Sequence, residues 1–235
     1  MTDELISSEA LPRCFGNRLG QDILAHYHDT EWDVPVHDDR HHFEMLTLEG
    51  AQAGLNWDVM LRKRVGYKAA FHDFELHLVA TMTDAVLEAL REDAGIVRNR
   101  LKIYSTCGNA RAILDIQDEQ GSLASYLWGF VDGPPKVNHF ADLGKMPAST
   151  PLSDSISKDM KRRGFHFVGS TIIYAFMHGN GMVDDHVAGC WRRNGPHTIY
   201  PLEDEPSGAW LVKEWSEKLQ NEHQREISTI YTKHE

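Results

Sequence analysis

Apolar residues recur along most of this chain at intervals of three and four, the spacing that gathers them on one face of an α-helix. In "DDRHHFEMLTLEGAQAG" the pattern opens behind Asp38 or Asp39 and closes at Gly54, so a helix is predicted between them. "LNWDVMLRKRVGYKAAF" continues with Trp57, Met60, Leu61, Val65 and Lys68 in helical register. "TDAVLEALREDAG" predicts a Thr83 cap, a buried face of Val86, Leu87 and Leu90, and an end at Gly95. "VRNRLKIYSTCGNARAILDIQ" carries Leu101, Ile103, Ala110 and Ile113 on a further periodic run, and "SLASYLWGFV" follows before the Pro/Gly loop "DGPPK". Then "LSDSISKDMKRRG" reads as a capped helix ending at Gly164, "FHFVG" as a short turn, and "STIIYAFMHGNG" as a helix beginning at Ser170. No segment alternates convincingly with period two, and the predicted fold class is all-α. Past Pro201 a Glu- and Lys-rich tail places Trp210, Leu211, Trp215 and Leu219 at helical intervals, which predicts a helix packed on the outside.

With 235 residues, 41% of them hydrophobic, the chain can bury the core of one large domain or two small ones. It contains neither an apolar run of transmembrane length nor a basic-then-apolar leader; "MTDELISSEALP" is acidic and polar, and a cytoplasmic location without a membrane partner is expected. Three cysteines argue against a disulfide framework and leave metal ligation or burial. A formal charge of −11 disfavours nucleic acid as a partner, but it averages over local basic clusters. These are Arg62-Lys63-Arg64 with Lys68, Arg98 with Arg100 and Lys102, and Lys161-Arg162-Arg163. Any one of them alone reads as a solvated helix face.

Two segments carry chemistry. The stretch "KRRGFHFVGST" joins two predicted helices through a turn bounded by Gly164 and Gly169, and the second helix begins with unpaired N–H groups. Those groups, with Lys161, Arg162 and Arg163 upstream, suit a phosphate of a DNA backbone; a tight hairpin inside the core fits the geometry equally well. The second segment, "MVDDHVAGC", sets His186 and Cys190 four apart, which on a helix would let an imidazole and a thiolate close on one ion. Cys14 and His28 could complete a Cys2His2 zinc set. By spacing alone a satisfied core pair is the better reading of His186 and Cys190, and His26, His37, His41, His42 and Cys107 compete for the remaining roles.

In order, "CFG", "YHDTEWDVP", "FEMLTLEGAQAGLNW", "DAGIVRNRLKI", "GNARA", "KRRGFHFVGSTIIYAFM" and "VDDHVAGC" resemble the constitutive 3-methyladenine DNA glycosylases, type I enzymes of the helix-hairpin-helix superfamily. The similarity runs from about Cys14 to Cys190. It implies a base-excision repair hydrolase with a helix-hairpin-helix at about 153–178 and a structural zinc held by Cys14, His28, His186 and Cys190, joining the N- and C-terminal segments. The expected layout is a polar leader at 1–12, a glycosylase domain at 13–195 and a charged helical extension at 196–235. The implied partner is double-stranded DNA carrying alkylated bases, the product is free 3-methyladenine, and the protein is expected to be a monomer.

The resemblance also implies roles. Tyr27 and Trp57 sandwich the flipped base, Trp32 lines the wall, Glu49 accepts from the base edge, and Leu55 wedges into the duplex; Lys161, Arg162, Arg163, Gly164, Gly169 and Ser170 meet the DNA backbone. A cationic, alkylated base suits aromatic faces and an acceptor. The residues support Glu49 independently: its helical neighbours Met45, Leu46 and Ala53 are apolar, a setting in which a carboxylate needs a partner. The chain departs from the family pattern at Leu24, where a Tyr is usual, and at Phe15 or Gly16, where a Trp is usual. It departs again at Asp184, where Asn is typical: either an extra catalytic anion or, as the preferred reading, the cap of the helix that bears His186. His166 and Phe167 occupy the turn where a lyase would carry its Lys, so a monofunctional enzyme is expected. The alternative is a zinc-stabilised DNA-binding or interaction module that has lost turnover.

Overall fold

The computed structural model describes residues 11–193. The predicted outer helix through Trp210, Leu211, Trp215 and Leu219 lies outside them, as does nearly all of the 1–12 leader and the 196–235 extension. Among the described residues the chain forms nine α-helices and a single pair of two-residue strands, so the all-α expectation holds. No helix among them is long and apolar enough to cross a membrane.

Helix α2 (Asp39–Gln52) lies at the centre. Phe43, Met45, Leu46, Leu48 and Ala51 are all buried, and they occupy every side of the helix, as expected where other elements surround it. Its predicted start holds: the Asp38 side chain accepts from the His41 backbone N–H at 2.7 Å, satisfying one of the otherwise unpaired donors of the first turn. Asp39 has a different task. Its carboxylate accepts from the backbone N–H groups of Leu123 and Ala124 at 2.8 Å each, which fixes the start of α7 (Leu123–Val131) against α2.

The remaining helices follow the sequence pattern. α1 (Asp22–Thr30) and α3 (Trp57–Ala70) flank one end of α2, with the Asn56 side chain capping α3. The "TDAVLEALREDAG" run divides into α5 (Asp84–Ala89), capped by Thr83, and a single 3-10 turn at Leu90–Glu92. α6 (Arg100–Gln120) starts at an Asn99 cap and packs against α4 (Leu76–Ala80). α8 (Pro151–Arg162) opens on a capping box between Thr150 and Ser153, and α9 (Ser170–Gly179) packs against both α8 and α2. The α8–α9 turn is held by Asn109 of α6, which accepts from the His166 N–H at 2.9 Å and donates to its carbonyl at 3.1 Å. A Cβ on Gly50 would stand 3.0 Å from that of Phe167; glycine there lets this turn lie against α2 one residue from Glu49.

Beyond α9 the expectation fails. His186 and Cys190 are not on a helix: strand β2 (Val183–Asp184) pairs in parallel with β1 (Lys136–Val137), and turns follow. Asp184 therefore caps no helix. Its carboxylate accepts from the His186 N–H at 3.2 Å, the local bond by which Asp stabilises a turn.

Candidate active site and metal centre

Helices α1, α2, α3 and α9 enclose a cavity of about 470 Å³. Tyr27 from α1 and Trp57 from the first turn of α3 both line it and pack on each other, ring centroids 5.3 Å apart and tilted by 60°, so the implied sandwich is not open between them here. Trp32 forms another wall, stacked on His178 of α9 at 5.2 Å. Leu24 and Phe15, the two departures from the family pattern, line the cavity too, and Phe15 packs edge-on to Trp32 at 5.1 Å. Tyr27, Trp32, Trp57 and Glu49 are thus brought together as the sequence predicted.

Glu49 is 5% exposed on the cavity wall and no hydrogen bond to its carboxylate is found among the described residues. Burial pushes its carboxyl up to about 8, opposed only by the charge of His178. Met45 and Leu46 beneath it are fully buried as expected, whereas Ala53 is exposed. The Trp57 indole N–H is also buried without a partner. The pocket therefore combines flat aromatic faces with an unsatisfied acceptor and an unsatisfied donor, which suits a planar, polar or cationic guest.

Sequence reasoning missed His178 and the acids behind it. Its Nδ1 lies 2.7 Å from Asp33 Oδ1 and its Nε2 lies 3.4 Å from Asp185 Oδ2. Asp185 is held in turn by Asn138 Nδ2 at 2.7 Å and by the Tyr174 hydroxyl. Burial alone would lower the imidazole's proton affinity, but the charge and hydrogen bond of Asp33, with Asp185 and Glu49, raise it. The His178 ring, fixed by these acids, lines the same cavity as Glu49. No local motif announces it: Asp33 and His178 are 145 residues apart. Asp184, the extra anion suggested by the sequence, is buried and is not among the residues lining the cavity.

Cys14, His28, His186 and Cys190 converge behind Trp32, their donor atoms all within 4.8 Å of one another. Cys14 Sγ lies 3.6 Å from His186 Nδ1, and Cys190 Sγ lies 3.4 Å from His28 Nε2 and 3.5 Å from His186 Nδ1. Metal–sulfur bonds of about 2.3 Å and metal–nitrogen bonds of about 2.0 Å in a tetrahedron subtend N···S edges of roughly 3.5 Å. These three N···S separations match that geometry, and the four side chains could hold a metal ion. The hydrogen bond between the two cysteines, with burial adding to it, pushes the Cys14 thiol up; the same bond, with His186 and His28 adding to it, pulls the Cys190 thiol down against burial. The His28 ring is oriented through Nδ1, 2.8 Å from Asp29 Oδ1, and Arg13 and Trp191 hold Asp29 in place. Such an outer partner is what a ligating imidazole needs.

The predicted DNA-contacting residues divide. Lys161 and Arg162 are exposed, although Arg162 also pairs with Asp159. Gly164 adopts φ +88° at the end of α8, and Gly169 precedes α9 without a side-chain cap, leaving its first N–H groups to outside partners. Arg163 is turned away into ion pairs with Glu119 and Asp159 at 2.7 and 2.9 Å. The Ser170 hydroxyl donates to Asp154, so an acid stands beside the helix start. Leu55 is 43% exposed at the turn between α2 and α3, next in sequence to Asn56, which with Gln52 lines the cavity.

A methyladenine glycosylase family model matches residues 18–193. Over 164 residues the chain is 48% identical to DNA-3-methyladenine glycosylase 1 of Escherichia coli, covering 70% of this chain and 88% of that protein. It is 41% identical over 170 residues to DNA-3-methyladenine glycosylase of Haemophilus influenzae, covering 72% and 92%. Among solved structures, 3-methyladenine DNA glycosylase I of Staphylococcus aureus, studied for its recognition of 3-methyladenine, superposes with a TM-score of 0.71 at 32% identity, covering 73% of this chain and 91% of the other.

Proposed function

The chain belongs to the methyladenine glycosylase family, and on that premise we propose that it hydrolyses the N-glycosidic bond of 3-methyladenine in alkylated DNA. The observation that carries this reading is Glu49: a buried carboxylate without a hydrogen bond, on the wall of a cavity that Tyr27 and Trp57 also line. An unpaired acid in such a place is costly unless a ligand completes it. A flipped 3-methyladenine does so, its cationic ring stacking on the two aromatics while its exocyclic amine donates to Glu49. Neutral adenine lacks the charge and gains less.

Alkylation has already weakened the bond to be broken. As the C1′–N bond cleaves, its electron pair goes to the base, which leaves neutral, and water adds its oxygen to C1′ while releasing a proton. Glu49, Tyr27, Trp57 and Trp32 hold the base through this step. No lysine stands at the turn occupied by His166 and Phe167, so the reaction ends at hydrolysis without a lyase step. Leu55 fills the gap left in the stack, and Lys161, Arg162 and the start of α9 with Gly164, Gly169 and Ser170 hold the duplex backbone. Arg163, paired within the protein, contributes little to that contact. We place the glycosylase domain at 13–195, acting as a monomer in the cytoplasm, where alkylated DNA would be met.

Cys14, His28, His186 and Cys190 would hold a structural zinc, a closed four-ligand set that ties residues before α1 to those after β2 and leaves no position for substrate. Elemental analysis should give one zinc per chain, with a chelator lowering the unfolding temperature; a metal-free protein of unchanged stability would refute it. The enzyme reading is tested by counting free bases released from methylated duplex DNA. Wild type should release 3-methyladenine, and Glu49→Gln should do so at least about a hundredfold more slowly. If wild type releases none, the reading fails.

A further inference from the structure

The loop that presents Leu55 is a β-turn of defined type. Leu55 N–H donates to the Gln52 carbonyl at 2.6 Å, Ala53 has φ −45° and ψ 113°, and Gly54 has φ +83°. These are the angles of a type II turn, in which the third residue needs positive φ and is therefore usually glycine. A type I turn differs from it mainly by a flip of the central peptide, here the one between Ala53 and Gly54. The Ala53 carbonyl is therefore the atom whose direction distinguishes the two. In this protein a cation from another helix engages it: Lys102 Nζ, from the first turn of α6, donates to the Ala53 carbonyl at 2.7 Å. The same ammonium donates to the Ala51 carbonyl at 2.7 Å, one of the unpaired acceptors at the end of α2.

We infer that Lys102 is a positioning residue for base extrusion: by holding the Ala53 carbonyl it keeps the 52–55 turn in its type II form, with Leu55 aimed where the base leaves the duplex. This rests on the proposed glycosylase reading, and on Leu55 as the wedge within it. Lys102 belongs to a basic run that otherwise reads as surface, and its neighbour Arg100 is paired with Glu88 at 2.8 Å. Two of the three N–H donors of its ammonium are committed to these carbonyls, which sets Lys102 apart from a lysine held only by solvent.

A double-mutant cycle separates these roles. Base release from methylated duplex is measured for Leu55→Ala, Lys102→Met and the double variant, beside affinity for free 3-methyladenine by tryptophan fluorescence. Each single change should lower kcat/KM roughly tenfold. The double variant should be no worse than the weaker single, Lys102→Arg should recover part of the loss, and free-base affinity should stay within about twofold because the pocket needs no wedge. Gly54→Ala, whose Cβ would meet nothing within 4 Å, strains the turn alone and should reproduce the Lys102→Met loss even if that variant folds poorly. Independent losses, with the salt dependence of binding reduced by about one phosphate contact, would make Lys102 a DNA ligand and overturn the inference. So would an unchanged Lys102→Met rate or a matching fall in free-base affinity. A wild type that releases no base defeats the glycosylase reading and this inference with it.

Discussion

Helix α2 carries two buried carboxylates, Glu44 and Glu49, 6% and 5% exposed, and the protein treats them in opposite ways. Glu44 is neutralised from within. Arg64 Nε lies 2.7 Å from it, the same guanidinium reaches Glu31 at 2.7 Å, and Lys68 stands at 3.4 Å. Burial alone would raise the Glu44 carboxyl, but Arg64 and Lys68 outweigh it and leave it below the usual carboxylate range. Glu49, one and a half turns further along, has no such cation in contact and is pushed up to about 8 by burial. Burial therefore does not distinguish a structural acid from a functional one; the missing partner does. The first site is complete without a ligand, while the second becomes complete only when something cationic enters.

The largest expected effect removes the partner that separates the two. Arg64→Met leaves Glu44 desolvated beside a half-exposed Lys68, and breaking a buried, hydrogen-bonded pair this way costs about 3–5 kcal/mol. Urea unfolding at pH 7 should show that loss. A loss below about 1 kcal/mol would place the pair with ordinary surface ion pairs, and the contrast between the two acids would no longer rest on Arg64.

Much of α2 and its surroundings was legible in the sequence because the signals are local. Asp38 caps where the periodicity begins, Gly54 takes positive φ where it ends, and the apolar neighbours of Glu49 flag a carboxylate in the wrong solvent. Glu44 gave no such warning, since Arg64 lies 20 residues away on another helix. The Asp33, His178 and Asp185 group was likewise invisible: each residue is unremarkable alone, and their meeting depends on α9 returning against the segment after α1. The candidate metal centre is a third case. The i, i+4 spacing of His186 and Cys190 suggests one helix face and by itself a satisfied core pair, whereas a turn containing Gly189 at φ +84° is what brings the two side chains together. Asp184 was misread by the same assumption.

A smaller effect sharpens the comparison at Glu49 itself. Burial pushes its carboxyl up to about 8 in the folded protein, against about 4.5 for a free glutamate side chain, so the native state binds the proton more tightly than the unfolded chain does. The contribution of this side chain is then fully favourable below about pH 4.5 and is progressively lost as the pH rises toward 8. Glu49→Gln, neutral at every pH, avoids that loss. Replacing the acid should therefore stabilise the protein by on the order of 3 kcal/mol at pH 7, with the gain shrinking to nearly nothing by pH 4. Thermal unfolding of both proteins across this range measures it, and the same substitution that stops base release should be the one that raises stability, as expected where a site is held ready at the expense of the fold. The wild-type kcat/KM for a cationic base should climb over the upper part of that range, because only the ionised carboxylate pairs with the ligand. A pH-independent difference between the two proteins would mean that Glu49 is already satisfied in the empty pocket, and the distinction from Glu44 would disappear.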